Sequence, residues 1–265
     1  MNNMEFFNPF EGDIGDDEIK RWLDQFEKTE QPLIIKLLKE FKYYSSKKVT
    51  IFLKKLRAMI FKDLKTSIDN VWFVPVGCVA KSSSAIAYFF KKVNDLNIDK
   101  FISINEINSI KVGSETTIVF LDDYIGSGNQ ASIFWNSKIK EKYIDKSFNS
   151  LFYGVLVGLN EGIQKVEANT NFKVHAVDVF GEKDLPFSEK SKIFDNRKEK
   201  EEIKKIIKKY GEKFFPEYPF GYNSLSTLIG FFYSTPNSTF PIFWSKENAW
   251  KPLLPHGESL NNAYT

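Results

Sequence analysis

Residues 118–130 of the chain read IVFLDDYIGSGNQ. The segment begins with four apolar residues, as a buried strand does, and Asp122 and Asp123 follow at the carboxyl end of that strand. A Gly-Ser-Gly turn, Gly126 to Gly128, then leads into a helical pattern. Open α/β sheets bind their ligands at the carboxyl ends of the strands. This stretch therefore predicts a parallel sheet with a ligand site beside it.

Further apolar runs alternate with helical patterns on both sides of this segment. Strands buried on both faces and separated by helices are typical of a parallel sheet, so the predicted fold class is α/β. The predicted strands are residues 71–76, 101–104, 117–121, 151–157 and 172–180.

The two ends of the chain follow other patterns. Three short amphipathic helices are predicted within residues 15–66. A charged helix around residues 197–213 precedes finely interleaved aromatic, proline and glycine residues, which indicate a turn-rich cap over the sheet, here called the aromatic hood. The predicted segments are an acidic N-terminal helical module (1–66), an α/β core (67–185), and the charged helix with the aromatic hood (186–265).

Composition excludes several kinds of site. The single cysteine, Cys78, permits no intramolecular disulfide and no cysteine-based zinc cluster, and two distant histidines cannot form a multi-histidine metal site. No stretch approaches the roughly 20 apolar residues of a membrane helix, and the N-terminus lacks the pattern of a signal peptide. We therefore expect a cytoplasmic protein with no membrane contact and no protein-held metal.

Charge is unevenly distributed along the chain. The net charge of +3 is too small to indicate nucleic-acid binding, so direct binding of nucleic acid is not expected. Residues 1–30 contain nine acidic and three basic side chains, a net charge of −6. This acidic end is either a solvated surface or a surface through which the N-terminal helices contact a protein partner.

The turn after Asp123 has the chemistry of a phosphate site. Backbone N–H groups and the Ser127 hydroxyl can converge on an anion at the start of the following helix, while adjacent carboxylates suit hydroxyl groups. This combination predicts a sugar phosphate as ligand. The alternative is a tight strand-to-helix turn in which the acids are incidental.

A second loop, residues 74–82, also follows a strand and precedes a helix. Lys81 could meet a second phosphate group as a point charge, or it could be a solvated lysine in a turn. The two loops could together be taken for a P-loop NTPase. That pattern needs glycines one and six residues before the lysine, where this chain has Ala80 and Pro75, which disfavours the NTPase.

Residues 121–130 resemble the loop of type I phosphoribosyltransferases that binds 5-phosphoribosyl 1-pyrophosphate (PRPP): an apolar strand, two acids, three residues, then Ser-Gly. The resemblance implies that Asp122 and Asp123 are the catalytic acids, which hold the ribose hydroxyls. By the same resemblance, the 5′-phosphate would be bound by Gly126, Ser127, Gly128, Asn129 and Gln130, and the pyrophosphate by Gly77, Ala80 and Lys81.

The chain differs from that family in three respects. Asn129 and Gln130 replace the usual small residue and threonine, and Gly126 stands where purine-salvage members have an aspartate base. Only 40 residues separate Lys81 from Asp122, which leaves little room for a lid that excludes water. A purine-salvage activity is therefore not expected.

Residues 235–244, which read TPNSTFPIFW, together with the N-terminal helices resemble a divergent branch of phosphoribosyltransferase-like proteins from bacterial conflict and antiphage systems. The two resemblances imply an antiphage effector that binds PRPP or a nucleotide and acts at the ribose C1′ position. It would be a phosphoribosyltransferase or a nucleotide-cleaving glycosyl transferase, with Mg²⁺ held mainly through ligand oxygens. The alternative is a non-catalytic sensor of a nucleotide or sugar phosphate, or a partner-binding subunit of a defence complex.

Overall fold

The computed structural model describes residues 8–76, 82–110, 114–140 and 148–257. The chain divides into two compact units, one of residues 49–181 and one that combines residues 1–48 with residues 182–265. Within the described ranges the strands are β1 (Lys42–Tyr44), β2 (Val71–Pro75), β3 (Thr117–Leu121), β4 (Tyr124–Ile125), β5 (Ser150–Leu159), β6 (Lys173–Phe180) and β7 (Ile229–Phe231). The α-helices there are α1 (Asp16–Leu23), α2 (Gln31–Lys39), α3 (Ser46–Asp63), α4 (Ser82–Asn94), α5 (Asn129–Phe134), α6 (Asn160–Asn169) and α7 (Arg197–Phe214).

The unit of residues 49–181 is built on a parallel five-stranded sheet. β5 is its central strand, with β6 on one side and both β3 and β4 on the other, and β2 lies beyond β3. Leu121 of β3 is opposite Gly154, and Tyr124 of β4 is opposite Val157. Both pairs have the same register, so β3 and β4 are one strand that is interrupted only at residues 122 and 123.

Helices cover both faces of this sheet. On one face, a Cβ added to Gly154 would lie 3.2 Å from the Ile60 side chain of α3, and the ring of Phe73 lies 5.4 Å from that of Phe90 in α4. On the other face, Phe120 packs against Phe134 at the end of α5. The predicted α/β class with a parallel sheet is therefore confirmed.

The prediction of a strand at residues 101–104 is wrong. Phe101 forms a single bridge with Phe73, and the chain then enters a short 3₁₀ helix, Ile104–Asn108. The Glu106 carboxylate accepts a hydrogen bond of 2.7 Å from the backbone N–H of Ser103. In a strand, the Ser103 N–H would donate to a neighbouring strand. Because the Glu106 carboxylate accepts this hydrogen bond locally, the segment turns instead of extending.

The other unit joins the N-terminal helices to the C-terminal segment. Trp22 of α1 stacks on Phe243 at 5.1 Å between ring centroids, and its Nε1–H donates to the Ile242 carbonyl at 3.0 Å. Lys36 of α2 forms an ion pair of 2.7 Å with Glu199 of α7. β1 and β7 pair in parallel.

These two units do not follow the three predicted segments. Most of α3, which the sequence groups with the N-terminal module, lies in the unit of the sheet, while the aromatic hood shares a hydrophobic core with α1 and α2. An apolar helix face does not reveal its partner in the sequence, which explains the difference. The position of the hood over the sheet stays a prediction. No helix in the described ranges is long and apolar enough to cross a membrane.

Candidate functional site

The interruption between β3 and β4 contains the two acids. Asp122 and Asp123 are buried, with 3% and 8% of their surfaces exposed. The Asp122 backbone N–H donates to the Gly154 carbonyl at 3.0 Å, and the Asp123 carbonyl accepts from Leu156 and Val157, both at 3.1 Å. Backbone hydrogen bonds to the central strand therefore hold both acids in place where the regular ladder is broken.

The Asp122 carboxyl connects three parts of the fold. Its Oδ2 accepts hydrogen bonds from the Tyr153 hydroxyl of β5 at 2.9 Å and from the Gln130 side-chain amide in α5 at 3.3 Å. Its Oδ1 accepts from the backbone N–H of Asp123 at 3.0 Å. The strand, its neighbour and the following helix thus meet at this one carboxyl group.

Burial raises the pKa of Asp122 well above its ordinary value, and the neighbouring charge of Asp123 raises it further, while the hydrogen bond from Tyr153 acts in the opposite direction. The pKa of Tyr153 is also raised, first by burial and then by the Asp122 charge. Two adjacent carboxyls in a buried place do not readily ionise together. Burial and the Asp123 charge therefore both oppose ionisation of Asp122.

This raised pKa predicts how stability depends on pH. A group whose pKa is higher in the folded state than the unfolded value of about 3.9 contributes to the stability of the fold. That contribution is complete below about pH 3.9 and is lost as the pH rises through the folded-state pKa. We expect Asp122→Asn to remove this part of the dependence. Melting curves of both proteins from about pH 4 upward test it; parallel curves would show that the Asp122 pKa is not raised.

The Gly-Ser-Gly turn is shaped by packing against α6. Gly128 has a φ of +76°, in the left-handed region that glycine favours. A Cβ on Gly128 would lie 2.6 Å from the Gly162 carbonyl oxygen, and a Cβ on Gly162 would lie only 1.9 Å from the Gly126 carbonyl oxygen. The two glycines therefore allow the turn and the first turn of α6 to touch. The role of Gly162 was not predicted from the sequence, because the only signal there is a glycine within a helical pattern.

Two polar side chains accept hydrogen bonds at the turn. The Ser127 hydroxyl accepts a long hydrogen bond of 3.4 Å from the Asn129 backbone N–H. The Asn129 side-chain oxygen accepts from the Lys165 ammonium of α6 at 2.6 Å. Lys165 thus places an exposed cation beside the turn. Nothing in the sequence points to it, because it lies 36 residues from Asn129.

The structure brings together part of the predicted site. Asp122, Asp123 and residues 126–130 form one continuous group, whereas Gly77, Ala80 and Lys81 of the predicted pyrophosphate loop lie outside the described residues. β2, which leads to that loop, ends at Pro75 opposite Leu121. The residues that precede the two predicted loops are therefore neighbours in the sheet.

The described part of the chain contains no group of three or more His, Cys, Asp or Glu side chains that could hold a metal ion. Carboxylate oxygens are nevertheless ligands that suit Mg²⁺, which keeps several waters or ligand oxygens when it binds to proteins. A Mg²⁺ ion bound beside the acid pair would therefore take most of its ligands from a bound phosphate compound and water.

Comparison with protein families gives one extensive match. The family model PRTase-CE, in which PRTase abbreviates phosphoribosyltransferase, matches residues 19–256. That range contains the acid pair, the turn, the whole unit of residues 49–181, and the other unit except residues 1–18 and 257–265. A search of curated proteins returned no match.

Among the similar solved structures is a xanthine-guanine-hypoxanthine phosphoribosyltransferase of Helicobacter pylori, with 15% identity over 52% of this chain and 83% of that chain, and a TM-score of 0.34. The orotate phosphoribosyltransferase of Aeropyrum pernix has 14% identity over 50% of this chain and 71% of that chain, with a TM-score of 0.35. A hypothetical protein of Neisseria gonorrhoeae with bound ppGpp has 9% identity, coverages of 62% and 97%, and a TM-score of 0.34. Similarities this weak carry no argument about activity.

Proposed function

The chain belongs to the PRTase-CE family, and on that basis we propose that it binds PRPP or a nucleotide and acts at the ribose C1′ position. One observation carries the proposal. A buried acid pair interrupts a strand of the sheet, and a Gly-Ser-Gly turn that leads into a helix begins three residues after Asp123. Carboxyls for hydroxyl groups and backbone N–H groups for a phosphate are thereby adjacent.

In this proposal the ribose lies against the acid pair and the 5′-phosphate against residues 126–130. The chain has only three arginines, so phosphate binding would rest on backbone N–H groups, the Ser127 hydroxyl and lysine charge instead of paired guanidinium contacts. Lys165 supplies one such charge beside the turn. Lys81 would supply another at the pyrophosphate. When bound with the ligand, Mg²⁺ would neutralise phosphate charge.

The proposed reaction breaks the bond between C1′ and its leaving group. The leaving group, pyrophosphate or a base, departs with the bonding electron pair, and a base nitrogen or water then forms the new bond to C1′. Positive charge develops at the anomeric carbon as this bond breaks. Carboxyl groups beside the ribose stabilise that charge electrostatically, which is the role proposed for the acid pair.

The proposed setting is the bacterial cytoplasm, where the protein would be an effector of antiphage defence. This part of the proposal is supported by the resemblance of residues 235–244 and the N-terminal helices to conflict-system proteins. The first turn of α1 has three exposed acids, Asp16, Asp17 and Glu18. These acids are the surface proposed for a protein partner.

A second candidate function is a sensor that binds the same ligand without changing it. The contact between Gln130 and Asp122 favours it, because an amide bonded to an acid stands where active relatives would have a threonine hydroxyl. Both functions require the same acid pair and the same Gly-Ser-Gly turn for binding the ligand. Only turnover distinguishes them.

The test is to incubate the full chain with Mg²⁺ and PRPP, or separately with common nucleotides, and follow both melting temperature and ligand concentration. We expect one ligand to raise the melting temperature, since ligand at 100 times its Kd adds about 2.7 kcal/mol of stability, and to disappear with time. A shift without loss of ligand would show the sensor. Neither shift nor loss with any of these ligands would contradict the proposed function.

A further inference from the structure

We infer that Asp122 is a positioning residue that, together with Tyr153 and Gln130, holds the Gly-Ser-Gly turn in its binding conformation. This inference rests on the proposed function and gives Asp122 a role beyond a contact with the ribose. The hydrogen bonds of Asp122 support it.

Few acceptor positions remain on Asp122 for a ligand. A carboxylate offers about four lone-pair sites. Three of them already receive hydrogen bonds, from the Tyr153 hydroxyl, the Gln130 amide and the Asp123 backbone N–H. The buried Asp122 carboxyl is therefore engaged mainly with the residues that surround the turn.

The bond between Gln130 and Asp122 closes the turn on itself. It joins Asp122, four residues before the turn, to Gln130, the second residue of α5. Tyr153 secures the Asp122 carboxyl from β5, and its ring packs against Phe172 at 5.2 Å between centroids. The opposite side of the turn rests on Gly162. A loop fixed at these points loses less conformational entropy when a ligand binds.

The ligand-free protein provides the first test, through hydrogen–deuterium exchange of the peptide that spans residues 126–134. Tyr153→Phe removes only a hydroxyl, and Gln130→Met removes only hydrogen bonding from an exposed side chain. We expect either change to speed exchange in this peptide about tenfold while peptides of β3 and β5 keep their rates. Gln164→Met and Tyr88→Phe, on exposed side chains elsewhere, serve as matched controls.

Exchange at residues 126–134 that stays at wild-type rates in both variants would overturn the inference, and so would an equal acceleration in every strand, which would indicate general destabilisation. This readout needs no ligand. The exchange result is therefore independent of the proposed function. The proposed function fails if the wild-type chain binds neither PRPP nor a nucleotide.

Ligand affinity provides the second test, in titrations with PRPP and Mg²⁺. We expect Gln130→Met to weaken PRPP binding about tenfold in the wild-type background and to have no effect once Asp122 is asparagine, because the two residues act as one unit. Asp123→Asn should weaken binding in both backgrounds. Equal effects of Gln130→Met in the two backgrounds would contradict a positioning role for Asp122.

Discussion

Replacing Gly162 by alanine is expected to displace the phosphate turn and to weaken PRPP binding about a hundredfold. The added Cβ would lie 1.9 Å from the Gly126 carbonyl oxygen and 3.0 Å from the Ile125 side chain. One of the two elements must therefore shift by about 1 Å, and a shift of that size in a binding site can reduce activity by a factor of 100. Overpacking of this kind also lowers stability by about 1–3 kcal/mol.

Two control variants separate the shift of the turn from a general loss of stability. Gln164→Gly, on an exposed position of the same helix, should destabilise α6 by about 0.5–1 kcal/mol without touching the turn. Gly15→Ala adds a methyl group with no neighbouring atom within 4 Å. Both should bind PRPP as the wild-type chain does. If Gly162→Ala also binds normally, the turn is not held by α6 in the way described.

The local parts of the fold could be predicted from the sequence. An apolar run, two acids and a glycine turn lie within residues 118–130, so the strand, the turn and the start of the helix follow from neighbouring residues. The alternation of strands and helices likewise indicates the parallel sheet. The segment 101–104 misled the prediction because its apolar residues resemble a strand, whereas the cap between Ser103 and Glu106 produces a turn.

The supports of the site could not be predicted, because they come from distant residues. Tyr153 reaches Asp122 from 31 residues away, and Lys165 reaches Asn129 from 36 residues away. No local pattern distinguishes this tyrosine or lysine from the others in the chain. The same limit applies to the two units, since the apolar faces of α1 and α2 do not indicate that their partners lie near the C-terminus.

The double variant with Asp122→Asn and Asp123→Asn is expected to lose PRPP binding by at least about a hundredfold. It removes the proposed ribose contact at Asp123 and the carboxyl that positions the turn at Asp122. Hydrogen bonds to charged groups contribute about 1.5–3 kcal/mol each, so two such losses are enough for an effect of this size.

The fold should survive this double change. Asparagine is close to aspartate in size, and the change removes two adjacent buried carboxyls whose charges repel each other. The melting temperature near neutral pH should therefore stay within a few degrees of the wild-type value. The matched control is Glu201→Gln with Glu202→Gln, an adjacent acid pair on the exposed face of α7. It should leave PRPP binding unchanged.

The decisive measurement is calorimetric titration of PRPP with Mg²⁺ into the wild-type chain, the Asp122→Asn/Asp123→Asn variant and the Glu201→Gln/Glu202→Gln control. We predict saturable binding with one site per chain in the wild type and the control, and no measurable binding in the Asp122/Asp123 variant. Equal binding in all three proteins would contradict the assignment of the ligand site to the acid pair.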